Sequence, residues 1–106
     1  MSLDFSLNNN GECVCDENIT HNLTTMAEAA GIYKVLWRPE ENGYHTARDC
    51  IPALTSGLDA LIKNPDKFEE YNSPNGWGMY EHFVPFVTRI LISCHRYPDA
   101  TVRVDR

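Results

Sequence analysis

Segments of period two open and close this chain, with a period of three to four between them, and that order constrains the fold more than any other feature. Leu3, Phe5 and Leu7 alternate with polar residues, and Cys13 and Cys15 flank Val14 beyond the turn-prone N-N-N-G at 8–11. Such a repeat puts alternate side chains on one face of a strand, and an Asn-Gly step supplies the positive φ angles of a tight hairpin. Residues 1–17 are therefore expected to form a β-hairpin. After Tyr97-Pro98-Asp99, T-V-R-V-D alternates in the same way. It reads as a closing strand over 100–105, paired with the hairpin.

The part between, residues 20–97, reads as helical. From Leu23, apolar or small residues fall at Met26, Ala27, Ala30, Tyr33 and Trp37, one face of a helix that Pro39 ends. Thr20, Asn22 or Thr24 is placed to cap its start, and Gly31 inside it suggests the close approach of a neighbouring element. T-A-R-D at 46–49 has capping-box spacing and opens a second helix, with Ile51, Leu54, Leu58, Leu61 and Ile62 on its apolar face. Asn64-Pro65 ends that helix and starts a short turn through Phe68 and Tyr71. A third helix carries Tyr80, Phe83, Val84, Val87, Ile90, Leu91 and Cys94 inward. Pro52 and Pro85 each remove one helical hydrogen bond, so kinks or offset first turns are expected. The predicted architecture is a single α+β domain, about three amphipathic helices on one face of a short antiparallel sheet.

Composition narrows the function. With 106 residues, 42% of them hydrophobic and 23% charged, the chain has the means for one core. Its apolar runs are far short of the roughly 20 residues of a membrane helix, so no membrane partner is expected. The M-S-L-D-F-S-L start lacks the features of a signal peptide and predicts a cytoplasmic protein, in which the four cysteines stay reduced. The formal charge is −6, and residues 1–33 hold Asp4, Glu12, Asp16, Glu17 and Glu28 without a Lys or Arg. No nucleic-acid partner is expected of such a chain, because neutralising phosphates dominates that affinity.

No cofactor or metal is implied. Cys13-Val14-Cys15 with His21 departs from the C-x2-4-C spacing of structural zinc sites, and His45, Cys50, His82, Cys94 and His95 form no paired ligand pattern. Nucleophile elbows, phosphate-binding glycine loops and H-E-x-x-H helices are all missing, so the chain reads as non-enzymatic, with no catalytic residue assigned. Asn18-Ile19-Thr20-His21-Asn22 is richer. It crowds hydrogen-bonding groups at a helix start, where free N–H groups serve either for routine capping or for an anion. In N-S-P-N-G-W-G-M-Y-E-H-F at 72–83, Asn75-Gly76 makes a turn and Gly78 frees the backbone beside Trp77. An indole placed there either closes the core edge or anchors an interface, with Tyr80 beside it. Near the C-terminus, Arg103 and Asp105 share one strand face, and Arg106 lies at the frayed end; the two arginines are either solvated or an anion-binding pair.

Three stretches, N-I-T-H-N-L-T-T-M-A-E-A-A-G-I-Y, N-S-P-N-G-W-G-M-Y-E-H-F-V-P-F-V and P-D-A-T-V-R-V-D-R, together resemble a group of small accessory proteins of phages and prophages. The resemblance covers roughly residues 18–106, with V-D-R at the end where the pattern has V-S-R. It implies a phage gene product acting in the infected bacterium and assigns no catalytic residues. The function expected on this basis is a non-enzymatic, counter-defence binding protein. Its partner would be a host defence protein that it masks or a small nucleotide-like signal that it sequesters. The expected ligand or partner residues are Asn18, Thr20, His21, Asn22, Asn75, Trp77, Tyr80, Arg103 and Arg106. Two alternatives are an assembly module, forming a homo-oligomer or a host-protein complex through Trp77 and Tyr80, and a small hydrolase of such a signal.

Overall fold

Asn10 and Gly11 both adopt positive φ, 55° and 84°, and this tight turn joins strands β1 (Ser2–Asn9) and β2 (Glu12–Thr20). The computed structural model describes all of residues 1–106. β2 runs on to Thr20, three residues past the hairpin boundary expected from the sequence.

A bulge explains how β2 continues. Asn9 pairs with Glu12 and Asn8 with Cys13, but Leu7 then pairs with Cys15, leaving Val14 as the extra residue. An unshifted register would set Asn18 and Asp16 opposite Leu3 and Phe5, on the core face. The bulge substitutes Ile19 and Glu17, which brings the apolar Ile19 onto the core face in place of Asn18. Glu17 reaches outward along that face to Arg89 at 2.9 Å. Cys13 and Cys15, which strict alternation would set on one face, become exposed and buried respectively.

Strand β3 (Thr101–Asp105) pairs antiparallel with β1, giving the order β2-β1-β3. Leu3, Phe5 and Leu7 are fully buried whereas Asp4 is exposed, so the helices cover one face of the sheet, as expected of this α+β fold.

Five α-helices follow where about three are expected. The first expected helix is broken into a 3-10 turn (His21–Leu23), α1 (Thr24–Ala29) and α2 (Tyr33–Trp37). Gly31 is the cause. Its φ of +79° ends α1, and a Cβ built on it would meet nothing within 4 Å, so it marks a break rather than a close approach.

Helix α3 spans Ala47–Lys63. The Asp49 carboxylate accepts from the backbone N–H groups of Thr46 and His45, each at 3.0 Å, and these bonds hold its pKa below the usual range. Free N–H groups of the α3 first turn are taken by the approach to β3: Ala47 donates to Ala100 at 2.9 Å and Arg48 to Pro98 at 2.8 Å. The buried face of α3 is Ala47, Cys50, Leu54, Gly57 and Leu61, rotated from the expected one; Ile62 is exposed. Small side chains at 50 and 57 admit the neighbouring elements, and large ones flank them.

Helix α4 (Pro65–Glu69) buries Phe68, and α5 (Tyr80–Arg96) buries Phe83, Phe86, Val87, Ile90 and Cys94. Phe86 lies outside the face expected from the sequence. Pro52 and Pro85 lie within continuous helices, on exposed positions where water can take the carbonyl each leaves free.

Burial pushes the thiols of Cys50 and Cys94 up from 9.0 to about 12, and raises that of Cys15 too. These groups keep their protons in the folded chain over a range in which the unfolded chain has lost them. Their contribution is therefore complete below the unfolded value and falls as pH rises from there toward the folded one. By pH 10, Cys50 and Cys94 together are expected to remove about 2–3 kcal/mol. Denaturant melts at pH 8 and pH 10 measure the loss, and equal midpoints would contradict it.

Candidate functional site

The site is built from the core outward. Trp37 is 2% exposed and stacks on Tyr33, with ring centroids 5.8 Å apart and planes 12° from parallel. Its indole N–H donates to His21 Nδ1 at 2.9 Å, which leaves the imidazole proton on Nε2. That bond ties the 3-10 turn to the core. Thr20 Oγ1 caps the turn by accepting from the Asn22 N–H at 3.3 Å. Asn22 Nδ2 then donates to the Trp77 carbonyl at 2.8 Å, 55 residues further along the chain.

Trp77 itself is held by its backbone. Its N–H donates to Asn75 Oδ1 at 2.9 Å, and the Ser73 hydroxyl donates to the same oxygen at 2.6 Å. Gly78, with φ +108°, is buried against Asn22, and a Cβ there would come within 2.8 Å of Asn22 Cβ. Only glycine combines that backbone with that approach. The indole nevertheless stands 69% exposed, so the core-edge role falls to Trp37 and not to Trp77.

Beside the exposed indole lies a groove of about 800 Å³. Its walls are Met1, Ser2, Asn18, Ile19 and Thr20 from the sheet end, Leu23 from the 3-10 turn, the Gly76-Trp77-Gly78 loop and His82 of α5. Thr20 and Asn18 project there because the bulge pairs them with Ser2 and Asp4 on the outer face. Asn18 Nδ2 donates to Ser2 Oγ at 3.0 Å and to Asp4 Oδ1 at 2.7 Å. The lining holds no Lys or Arg.

Of the residues singled out in the sequence, Asn18, Thr20 and Trp77 meet at this groove, and Asn22 and Asn75 support it from behind. His21 turns inward to Trp37. Tyr80 leaves the site: its hydroxyl donates to the Leu61 carbonyl at 2.6 Å, and burial, with the Glu69 charge, pushes its pKa up. Arg103 lies on β3 against a separate groove with Pro39, Tyr44 and His45. Arg106 is pinned rather than frayed, donating to the Trp37 carbonyl at 2.7 Å and to the Glu40 carboxylate.

Ser2, Ile19, Leu23 and His82 join the site without having been expected there. A signal for Ser2 exists in the hairpin register, but reading it requires the bulge. His82 sits in the first turn of α5, and only the folded chain brings it to β2. No group of three or more His, Cys, Asp or Glu residues is arranged to hold a metal ion.

No protein-family model, curated protein or solved structure significantly matches the chain.

Proposed function

We propose that this chain is a non-catalytic binding protein, of the phage accessory kind its sequence resembles, which masks a host protein by seating it on the Trp77 groove. The observation that carries the reading is an indole left 69% exposed while its backbone is fixed on both sides. A fixed, exposed Trp supplies large contact area with little ordering cost, the profile of an interface anchor.

A protein surface suits the groove better than a polyphosphate does. The walls offer Met1, Ile19 and Leu23 with the neutral groups of Ser2, Asn18 and Thr20, and neither Arg103 nor Arg106 reaches them. A nucleotide's phosphates would meet no Lys or Arg there, and so would lack the side chains that usually offset their desolvation.

Native mass spectrometry of the protein purified from infected host cells tests this reading. The expected spectrum shows a complex heavier by the mass of a host polypeptide. A retained mass of nucleotide size instead would favour sequestration of a small signal, and a bare 12.1 kDa chain would count against both.

A further inference from the structure

The sheet has two edges, and only one of them is covered. On β3 the Val102 N–H donates to the His45 carbonyl at 3.0 Å, and Thr46 bridges Thr101, so the segment before α3 closes that side. Strand β2 is the other edge, with no strand on its far side.

Register decides what β2 offers. The His21 N–H donates to the Met1 carbonyl at 3.3 Å, and the Leu3–Ile19 and Phe5–Glu17 pairs continue that phase. In an antiparallel ladder the residues between such pairs turn their backbone groups away from the partner strand. The N–H and C=O of Asp16 and Asn18, and the N–H of Thr20, therefore face outward. No bond outside the ladder takes them up. Asn18 and Thr20 are also walls of the groove beneath Trp77, so the open edge and the exposed indole form one continuous surface.

Charge selects the occupant. Strand β2 carries Glu12 and Asp16, with Glu17 already paired to Arg89, Asp4 lies one strand in, and residues 1–33 contain no Lys or Arg. A second copy of β2 would bring acid to acid. An extended segment with Lys or Arg at alternate positions sets cations across from Asp16 and beside Asp4, the cross-strand pairing that stabilises a sheet. Its intervening apolar side chains fall toward Ile19, Leu23 and Trp77.

We infer that the β2 edge takes up an extended basic segment of the partner protein as a fourth strand, with Trp77 clamping its end. This rests on the reading of the groove as a protein-binding surface, and it names the mode of binding.

The test uses the full chain, isotope-labelled, with a nine-residue peptide alternating lysine and valine, and a matched peptide alternating glutamate and valine. Hydrogen exchange at the Asp16, Asn18 and Thr20 amides is expected to slow by about tenfold or more with the lysine peptide and not with the glutamate one. Asn18→Pro removes an N–H from the open side and the side-chain bonds to Ser2 and Asp4, sparing the backbone bonds of the β1–β2 ladder, and should abolish that protection. Should Asn18→Pro fail to fold, Asp16→Lys carries the same test, because it reverses the local charge and is expected to lose selectivity for the basic peptide.

Equal protection by both peptides, or none by either, overturns the inference. Protection of the same amides that grows with protein concentration in the absence of peptide would give the edge to a second copy and overturn it as well. If host-partner capture depends on Trp77 while these amides stay unprotected, the groove reading stands and strand addition fails. If the lysine peptide protects them while capture is indifferent to Trp77, strand addition stands and the groove reading fails.

Discussion

Trp37→Ala is expected to lower folding stability by about 3–5 kcal/mol, a large part of the 5–15 kcal/mol typical of a domain of this size. Three losses combine. The buried indole leaves a cavity beside Tyr33, His21 loses the donor on its Nδ1, and the packing that aligns the Trp37 carbonyl with Arg106 is removed. The melting midpoint should fall by more than about 10 °C. His21→Ala removes only the acceptor and strands a buried N–H, at about 1–3 kcal/mol. Because the two side chains share one bond, their effects should not add, and a double-mutant cycle measures the coupling. Additive losses would show that the bond contributes nothing.

Gly57→Ala should also destabilise, against the usual rule that alanine improves a helix interior by about 1 kcal/mol over glycine. A Cβ at this position of α3 would overlap Ile32 Cγ2 and stand 3.2 Å from the Ala30 carbonyl oxygen. Ile32 is fully buried and β-branched, so its methyl has little room to rotate away. Overpacking of this kind costs about 1–3 kcal/mol. Ile32→Ala alone removes the obstructing methyl at a cost of about 2–5 kcal/mol for the cavity. In the double variant the new Cβ occupies part of that cavity, so its loss should be clearly smaller than the sum of the two. Equilibrium urea unfolding of the four proteins decides it, and a sum reached or exceeded would contradict the contact.

These two sites also show what the sequence could and could not disclose. Period two at the ends and the Asn-Gly step suffice for the hairpin and for the pairing of the last strand with it, because alternation and turn chemistry are local. The role of Gly57 is not legible. A face centred on Cys50 and Gly57 is made by small residues that pattern reading passes over in favour of Ile51, Leu58 and Ile62. In the sequence Gly31 reads as a helical glycine with a close neighbour, yet the fold divides these properties: Gly31 takes the positive φ and Gly57 the neighbour.

At the candidate site, Asn18, Thr20 and Trp77 are visible in the sequence as residue types placed beside a capped turn and on a glycine-flanked corner. Their meeting is not, since it depends on the one-residue bulge at Val14 and on a bond from Asn22 across 55 positions. Charge alone groups Arg103 and Arg106 with them. In the fold they serve other surroundings, one against the Tyr44 groove and one beneath Trp37.

The two tryptophans thus divide their labour, Trp37 holding the fold and Trp77, on the function proposed, holding a partner. A side-by-side measurement on Trp77→Ala tests that division most directly: thermal unfolding of the purified variant, and the amount of host protein that co-purifies with it from infected cells. An exposed side chain contributes within about 0.5 kcal/mol to stability, so the melting midpoint should stay at the wild-type value while the co-purified partner is lost. A variant that unfolds early, or one that keeps its full complement of partner, would contradict it.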